Sequence, residues 1–528
     1  MIRMDELRRQ FEAGRLSRRE FTNGLVTLGL SLSAANGLLV APAKAHETPK
    51  KGGRLRVGSL QASPAETLDT HAALSSIDAM RGMQIYSQLV QTTSNLEVVG
   101  VLAESWEANK AADEWVFKLR KGVEFHDGRD FGAKDVIYSI RRMQDPKTGS
   151  AARSFLADIE EVVAEDAHTV RMKLSNANVG LPSVFAEYHM KMYADGWTDF
   201  NNPIGTGPFK LKSFKPGIRS VTERNPNYFK NGLPHLDEVE LFSIPDTTAR
   251  TSAFLAGEIH LMEDIDPTTI DLIDQAPGVE VVSVPTALYV PFSMNIEVPP
   301  YDNPDVRLAL KLLIDREKYV QIVYKGHGTI GNDHPISPAY PEHCADLAPQ
   351  EYDPEKAKSL IKKAGYENHT FELNGSEGLQ GGMNTALTYS EMAKAAGINV
   401  KVIRNPADGF WDTVWMQKAF FGSAWNMRPS ADVILTTVFF SEAPWNECRW
   451  KRPEFDKLLI EARRTFDHAK RQEMFCDMQR MIKNDGGSVI PAHGNLLDAR
   501  SSKVKGLVPH PMGSLGSYQF GETCWLDS

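Results

Sequence analysis

The 528-residue sequence predicts an α/β protein of two lobes, with mixed sheets flanked by helices. Three observations carry this. Strand and helix patterns alternate without an internal repeat; helices concentrate in residues 305–483, whereas the first 300 residues are richer in strands; and about 483 residues follow an N-terminal leader, enough for two or three domains of usual size. With 42% hydrophobic and 24% charged residues and no second long apolar run, those domains have the composition of globular ones with sizeable cores.

The leader comes first. Arg18 and Arg19 precede a modestly apolar run over residues 24–41, and Ala43, Lys44 and Ala45 supply the small-x-small pattern after which a signal peptidase cuts. A membrane anchor would need about 20 strongly apolar residues, and this run is shorter and diluted by Gly, Ser, Thr and Asn. The reading is an export signal over residues 1–45 that addresses the chain to the periplasm. Ser17, Arg18, Arg19, Glu20 and Phe21 also resemble the twin-arginine motif S-R-R-x-F, with Thr22 and Asn23 in place of its usual Leu and Lys. The first 45 residues hold seven Lys/Arg and four Asp/Glu, so 52 basic and 64 acidic residues remain and the net charge falls from −9 to about −12. An acidic chain with a pI near 5.9 and no basic tract argues against nucleic acid as a partner. Cys344, Cys448, Cys476 and Cys524 are too few and too widely spaced for a disulfide scaffold or a C-x-x-C metal site. An oxidising periplasm allows them one or two disulfides, with three full pairings open. None lies near Ala45, which argues against a lipid-anchored mature N-terminus.

Along the remainder, residues 54–60 place Leu55 and Val57 on one face at period two, and residues 114–125 do the same with Trp115, Phe117 and Leu119, so both read as strands. The sequence "DPEKAKSLIKKAGY" reads as a helix marked at both ends. Asp353 is the N-cap, Pro354 sits at N1, Ala357, Leu360, Ile361 and Ala364 form the buried stripe, and Gly365 is the stop. A second helical stretch covers residues 454–483, broken near Phe466 and Asp467 and ended by Gly486 and Gly487.

Catalytic constellations are scarce. The G-x-S-x-G, H-E-x-x-H, G-x-x-x-x-G-K-[ST] and C-x-x-C signatures are absent. "FHDG" at residues 125–128 puts His126 beside Asp127 but reads as a polar turn at a strand end. "GTGPF" at residues 205–209 lacks phosphate-loop spacing and reads as a rigid turn entering a strand. His71, His126, His168 and His189 form no recognisable ligand set, and no metal or other cofactor is expected.

Four long blocks, "LAESWEANKAADEWVFKLRKGVEFHDGRDFGAKDVIYSI", "NPIGTGPFKLKSFKPGIRSVTERNPNYFKNGLPHLDEVELFSIPDTTARTSAFLAGEI", "YDNPDVRLALKLLIDREKYV" and "YDPEKAKSLIKKAGY", resemble in order those of the ABC-transporter solute-binding proteins for peptides, opines and nickel. The resemblance covers nearly all of residues 52–528. It implies a two-lobed periplasmic binding protein with a hinged cleft, a monomer that captures a peptide-like solute and delivers it to a permease driven by ATPase subunits. It further implies a partition into lobe I at 52–79, an inserted subdomain at 80–201, lobe I again at 202–289, lobe II at 290–491 and a last return to lobe I at 492–528. Opines, oligosaccharides and metal chelates are the alternative ligands. A periplasmic hydrolase is the competing class; it would accumulate product, whereas a receptor would not.

The best candidates for solute contacts are in "SAWNMRPSADVILTT", residues 423–437, where Trp425, Asn426, Arg428 and Asp432 interrupt an apolar segment. The resemblance implies that this segment lines the cleft and that Asp432 receives a ligand ammonium. The competing structural reading pairs Arg428 with Asp432 or makes them caps of the following helix. Trp411 and Trp415 read as lobe core. Dipeptide-binding members also grip the ligand carboxylate with an arginine, near a place where this chain has "GGMNT" at 381–385. Either another cation such as Arg428 takes that role, or the ligand is of another chemistry.

Overall fold

The computed structural model describes residues 48–376, 379, 381–406 and 409–527. The leader with Arg18, Arg19 and the cleavage position after Ala45 lies outside the described residues.

Leu55 and Val57 are fully buried in the strand Arg54–Ser59, as their period-two spacing predicts. This strand lies between parallel partners Glu238–Ser243 and Leu261–Met262. The sheet extends through Arg219–Arg224 to Phe209–Lys215 on one side. On the other it runs through Ala492–Ser501 to Val279–Tyr289, with Gly328–Ile330 also paired to Ala492–Ser501, making eight strands. Segments from the start, middle and end of the chain therefore share one sheet, over a core of Leu55, Val57, Phe209, Leu241, Leu261 and Phe520.

A separate four-stranded antiparallel sheet has the order Ala103–Ala108, Glu114–Leu119, Thr169–Leu174, Ile159–Asp166. Trp115, Phe117 and Leu119 point into its core while Lys118 is exposed. The strand ends at Leu119, earlier than the expected 125. The chain then enters the "FHDG" turn, closed by Gly128 N–H donating to Phe125 O at 2.8 Å. His126 is structural there. Its backbone N–H donates to Gly205 O at 2.8 Å, and its ring nitrogens lie 3.1 Å from Gly207 O and 3.3 Å from Gly205 N. The "GTGPF" turn is thus held against the end of a helix, where a Cβ on Gly205 would stand 2.0 Å from Ile85 O. Only glycine permits that approach.

The third sheet has five strands in the order Asn399–Asn405, Thr370–Ser376, Phe420–Gly422, Phe292–Met294, Ser488–Val489. The helices Pro304–Leu312, Arg316–Tyr324, Pro354–Lys363 and Gly382–Ala395 contribute to its core. In Pro354–Lys363 the Asp353 carboxylate accepts from Lys356 N–H at 2.9 Å and Gly365 adopts φ +78°, so both expected boundaries are present. Ala357 and Ile361 are fully buried, and Leu360 and Ala364 pack half-buried at the margin. The other helical stretch divides into Pro453–Arg464 and His468–Asp485, with Asp467 capping the second through Lys470 N–H at 3.1 Å.

Besides the excursion of Gly328–Ile330, two short chain crossings join the eight- and five-stranded sheets. Val279–Tyr289 continues into Phe292–Met294, and Ser488–Val489 continues into Ala492–Ser501, each through two residues, at 290–291 and 490–491. Cys344 and Cys476 form a disulfide that ties the loop preceding Pro354–Lys363 onto His468–Asp485, while Cys448 and Cys524 are free and buried. No described helix is long and apolar enough to cross a membrane.

Candidate functional site

The strand Phe420–Gly422 leads directly into the segment the sequence singles out. Trp425 bridges back to the end of Val279–Tyr289, with Trp425 and Tyr289 exchanging backbone N–H···O bonds of 3.0 Å in both directions. Tyr340 fixes the next turn: its Oη accepts from Arg428 N–H at 2.8 Å and donates to Arg428 O at 3.0 Å. Ser430 then caps the helix Ala431–Val438, its hydroxyl accepting from Val433 N–H at 3.4 Å. The segment therefore runs past the crossing at 290–291 with its backbone pinned on both sides.

The four candidate residues divide between two cavities. Trp425, Asn426 and Arg428 line one of about 270 Å³, together with Trp411, Trp415, Trp445 and Glu447. Asp432 lines a neighbouring one of about 450 Å³. Nor does Asp432 meet Arg428: its Oδ1 accepts from Arg463 Nε at 2.6 Å, and Arg463 Nη2 reaches Thr436 Oγ1 at 2.6 Å, tying Ala431–Val438 to Pro453–Arg464. This carboxylate, engaged by a guanidinium through Oδ1, holds the helix pair together.

The smaller cavity is built on one buried acid. Glu447 is 2% exposed; its Oε1 accepts from Trp415 Nε1 at 2.6 Å and Trp425 Nε1 at 3.1 Å, and its Oε2 from Ser293 Oγ at 2.8 Å. Burial pushes its carboxyl upward, against the hydrogen bonds from these donors. Both indoles are locked in orientation by it. The rings continue outward in contact: Trp411 to Trp415 at 5.5 Å, Trp415 to Trp445 at 6.1 Å and Trp445 to Trp425 at 5.8 Å between centroids. Trp411 is 48% exposed and Trp445 43%, so Trp411 is cavity wall and not the core residue its sequence suggested; Trp415 is half-buried beneath it. Sequence reasoning missed Trp445 and Glu447, although "PWNE" sets a tryptophan and an acid two residues apart.

The Arg428 guanidinium lies over the Trp425 ring at 5.8 Å. Its Nε is enclosed without a hydrogen-bond acceptor, and it makes no ion pair among the described residues. Across from it stand Glu187, Tyr188 and His189, which come after the four-stranded sheet in the chain. Glu187 Oε2 accepts from His189 N–H and lies 2.8 Å from Nδ1. Burial opposes the charge on Glu187, but His189 and, more weakly, Arg428 prevail and hold its carboxyl below the usual value. His189 is raised in turn: burial works against its proton and Glu187 outweighs burial. The two sides also touch directly, since Val179 N–H donates to Arg463 O at 2.8 Å and Leu96 packs against the cluster containing Trp425.

An indole-walled cavity thus lies beside one of the short connections between the two sheet-bearing bodies. The family model described as bacterial extracellular solute-binding proteins, family 5, middle, matches residues 97–447. The chain belongs to this family. Among its relatives, it is 25% identical over 469 residues to a glutathione-binding protein of Pectobacterium atrosepticum, covering 84% of this chain and 90% of that one. It is 28% identical over 474 residues to the dipeptide-binding protein of Escherichia coli, covering 81% and 87%. The structure of the periplasmic binding protein DppA from Helicobacter pylori in complex with the peptide STSA superimposes with a TM-score of 0.77 at 24% identity, covering 91% of this chain and 99% of that one. The fold is therefore that of the two-lobed periplasmic binding proteins.

Proposed function

We propose that this chain is the periplasmic capture component of an ABC importer, taking a peptide or peptide-like solute into the cleft and passing it to a permease driven by ATPase subunits. It acts as a monomer and without turnover. The observation that carries the reading is the indole-lined cavity around Arg428, at the junction of the two sheet-bearing halves. Such a site offers apolar walls for affinity and a few polar groups for orientation. The names of the relatives, for glutathione and dipeptides, support the solute class. The partition into lobe I, inserted subdomain and lobe II is part of this proposal, with residues 290–291 and 490–491 as the hinge.

A thermal-shift screen of peptides, opines, sugars and metal chelates tests it. A solute at 100 times its Kd should stabilise the protein by about 2.7 kcal/mol and be recovered intact; hydrolysed peptide would contradict the reading. Export through the twin-arginine route belongs to the same proposal. Lysine at both Arg18 and Arg19 should leave precursor in the cytoplasm, and normal periplasmic levels would refute that route.

A further inference from the structure

Resting on the importer reading, we propose that the cavity of Trp411, Trp415, Trp425, Trp445 and Arg428 takes the carboxylate-bearing end of the solute, together with one large apolar or aromatic side chain.

The charge argument comes from the groups that are already engaged. Glu447, the acid lining this cavity, has Oε1 on two indole N–H groups and Oε2 on Ser293. Asp432 lies in the neighbouring cavity and is paired with Arg463. Arg428 has neither an ion pair among the described residues nor an acceptor for its enclosed Nε. A buried donor without an acceptor is costly, and a guanidinium fork fits a carboxylate through two parallel hydrogen bonds. Glu187 across the cleft has its Oε2 on His189 and, though close enough to feel its charge, makes no ion pair with Arg428.

The shape argument comes from the rings. Neighbouring indoles meet at interplanar angles of 78°, 63° and 55°, which leaves a faceted box and not a slot for an extended backbone. Its volume, about 270 Å³, is below the usual range for whole drug-sized ligands and suits a single residue. An indole cage by itself also attracts cations. Arg428 at its edge repels them, and that decides for the acid.

Four probes test this by calorimetry on the mature protein: Ala-Ala-Phe, its N-acetyl derivative, its C-terminal amide, and Ala-Ala-Ala. The acid and its N-acetyl form should bind alike, and the amide about tenfold or more weakly, as expected for loss of a charge-assisted hydrogen bond. Arg428→Gln should erase the acid-over-amide preference. Trp411→Ala, at a half-exposed position, should erase the Phe-over-Ala preference and leave the acid preference in place. Equal binding of acid and amide, loss of binding on acetylation, or an Arg428→Gln protein that keeps the preference would overturn the proposal while leaving the importer reading intact. Failure of every probe to bind would overturn the proposal for peptide acids, and cleavage of the probes would overturn the importer reading itself.

Discussion

Asp432 is where a role read from sequence meets a different partner in space. Its spacing from Arg428 is that of neighbours on one helix face, but Arg428 precedes the cap at Ser430 and so lies outside the helix, while Arg463 arrives from a helix beginning 21 residues later. Asp432→Asn should therefore lower stability by about 1.5–3 kcal/mol, the range for a hydrogen bond to a charged group, and leave solute affinity within about twofold. Denaturant unfolding and calorimetry measure the two effects. A tenfold loss of affinity at unchanged stability would restore Asp432 to the ligand. The segment with Trp425, Asn426 and Arg428, which the structure places on one cavity, stood out because three polar or aromatic residues interrupt an apolar run. Glu447 was not legible: its role arises from Ser293, Trp415 and Trp425, up to 154 residues away, and no local pattern marks such a convergence.

Individual strands and helices were readable wherever local chemistry determines them: period two in Arg54–Ser59, Asp353 with Pro354 and Gly365 around Pro354–Lys363, and the break before His468. Their partners were not, since Arg54–Ser59 pairs with a strand 184 residues on. One such junction has a pH signature. Glu263 follows the short strand Leu261–Met262 and is enclosed between Ser76 of the helix Ser76–Ile85, whose Oγ donates to Oε1 at 2.5 Å, and the acids Asp264 and Asp498. Burial, reinforced by these acids, pushes its carboxyl up to about 8. Between the ordinary carboxylate range and pH 8 the folded protein thus keeps a proton that the unfolded chain releases, so stability falls as pH rises through that window. Asp498, raised to about 7 chiefly by burial, acts in the same direction. Glu263→Gln should match the parent near pH 5 and exceed it in stability at pH 8. Parallel stability profiles from pH 5 to 8 would contradict the assignment.

At the scale of the whole molecule, two of the crossings between the two sheets are only two residues long, and the indole cavity lies beside one of them. The two short crossings can act as a hinge, while contacts across the cleft, such as Val179 to Arg463 and Leu96 against the Trp425 cluster, are few and local. A solute that touches both halves favours the closed arrangement by its extra contacts there. The two-lobed class was legible from the change in strand and helix density along the chain. The interleaving of three segments in one sheet came from resemblance, because hydrophobic periodicity carries no information on long-range pairing. Small-angle scattering of the mature protein, with and without a solute found by the thermal-shift screen, tests capture by closure most directly. The radius of gyration should fall at saturating solute to the value calculated from the structure; an unchanged radius at saturation would contradict closure around a captured solute.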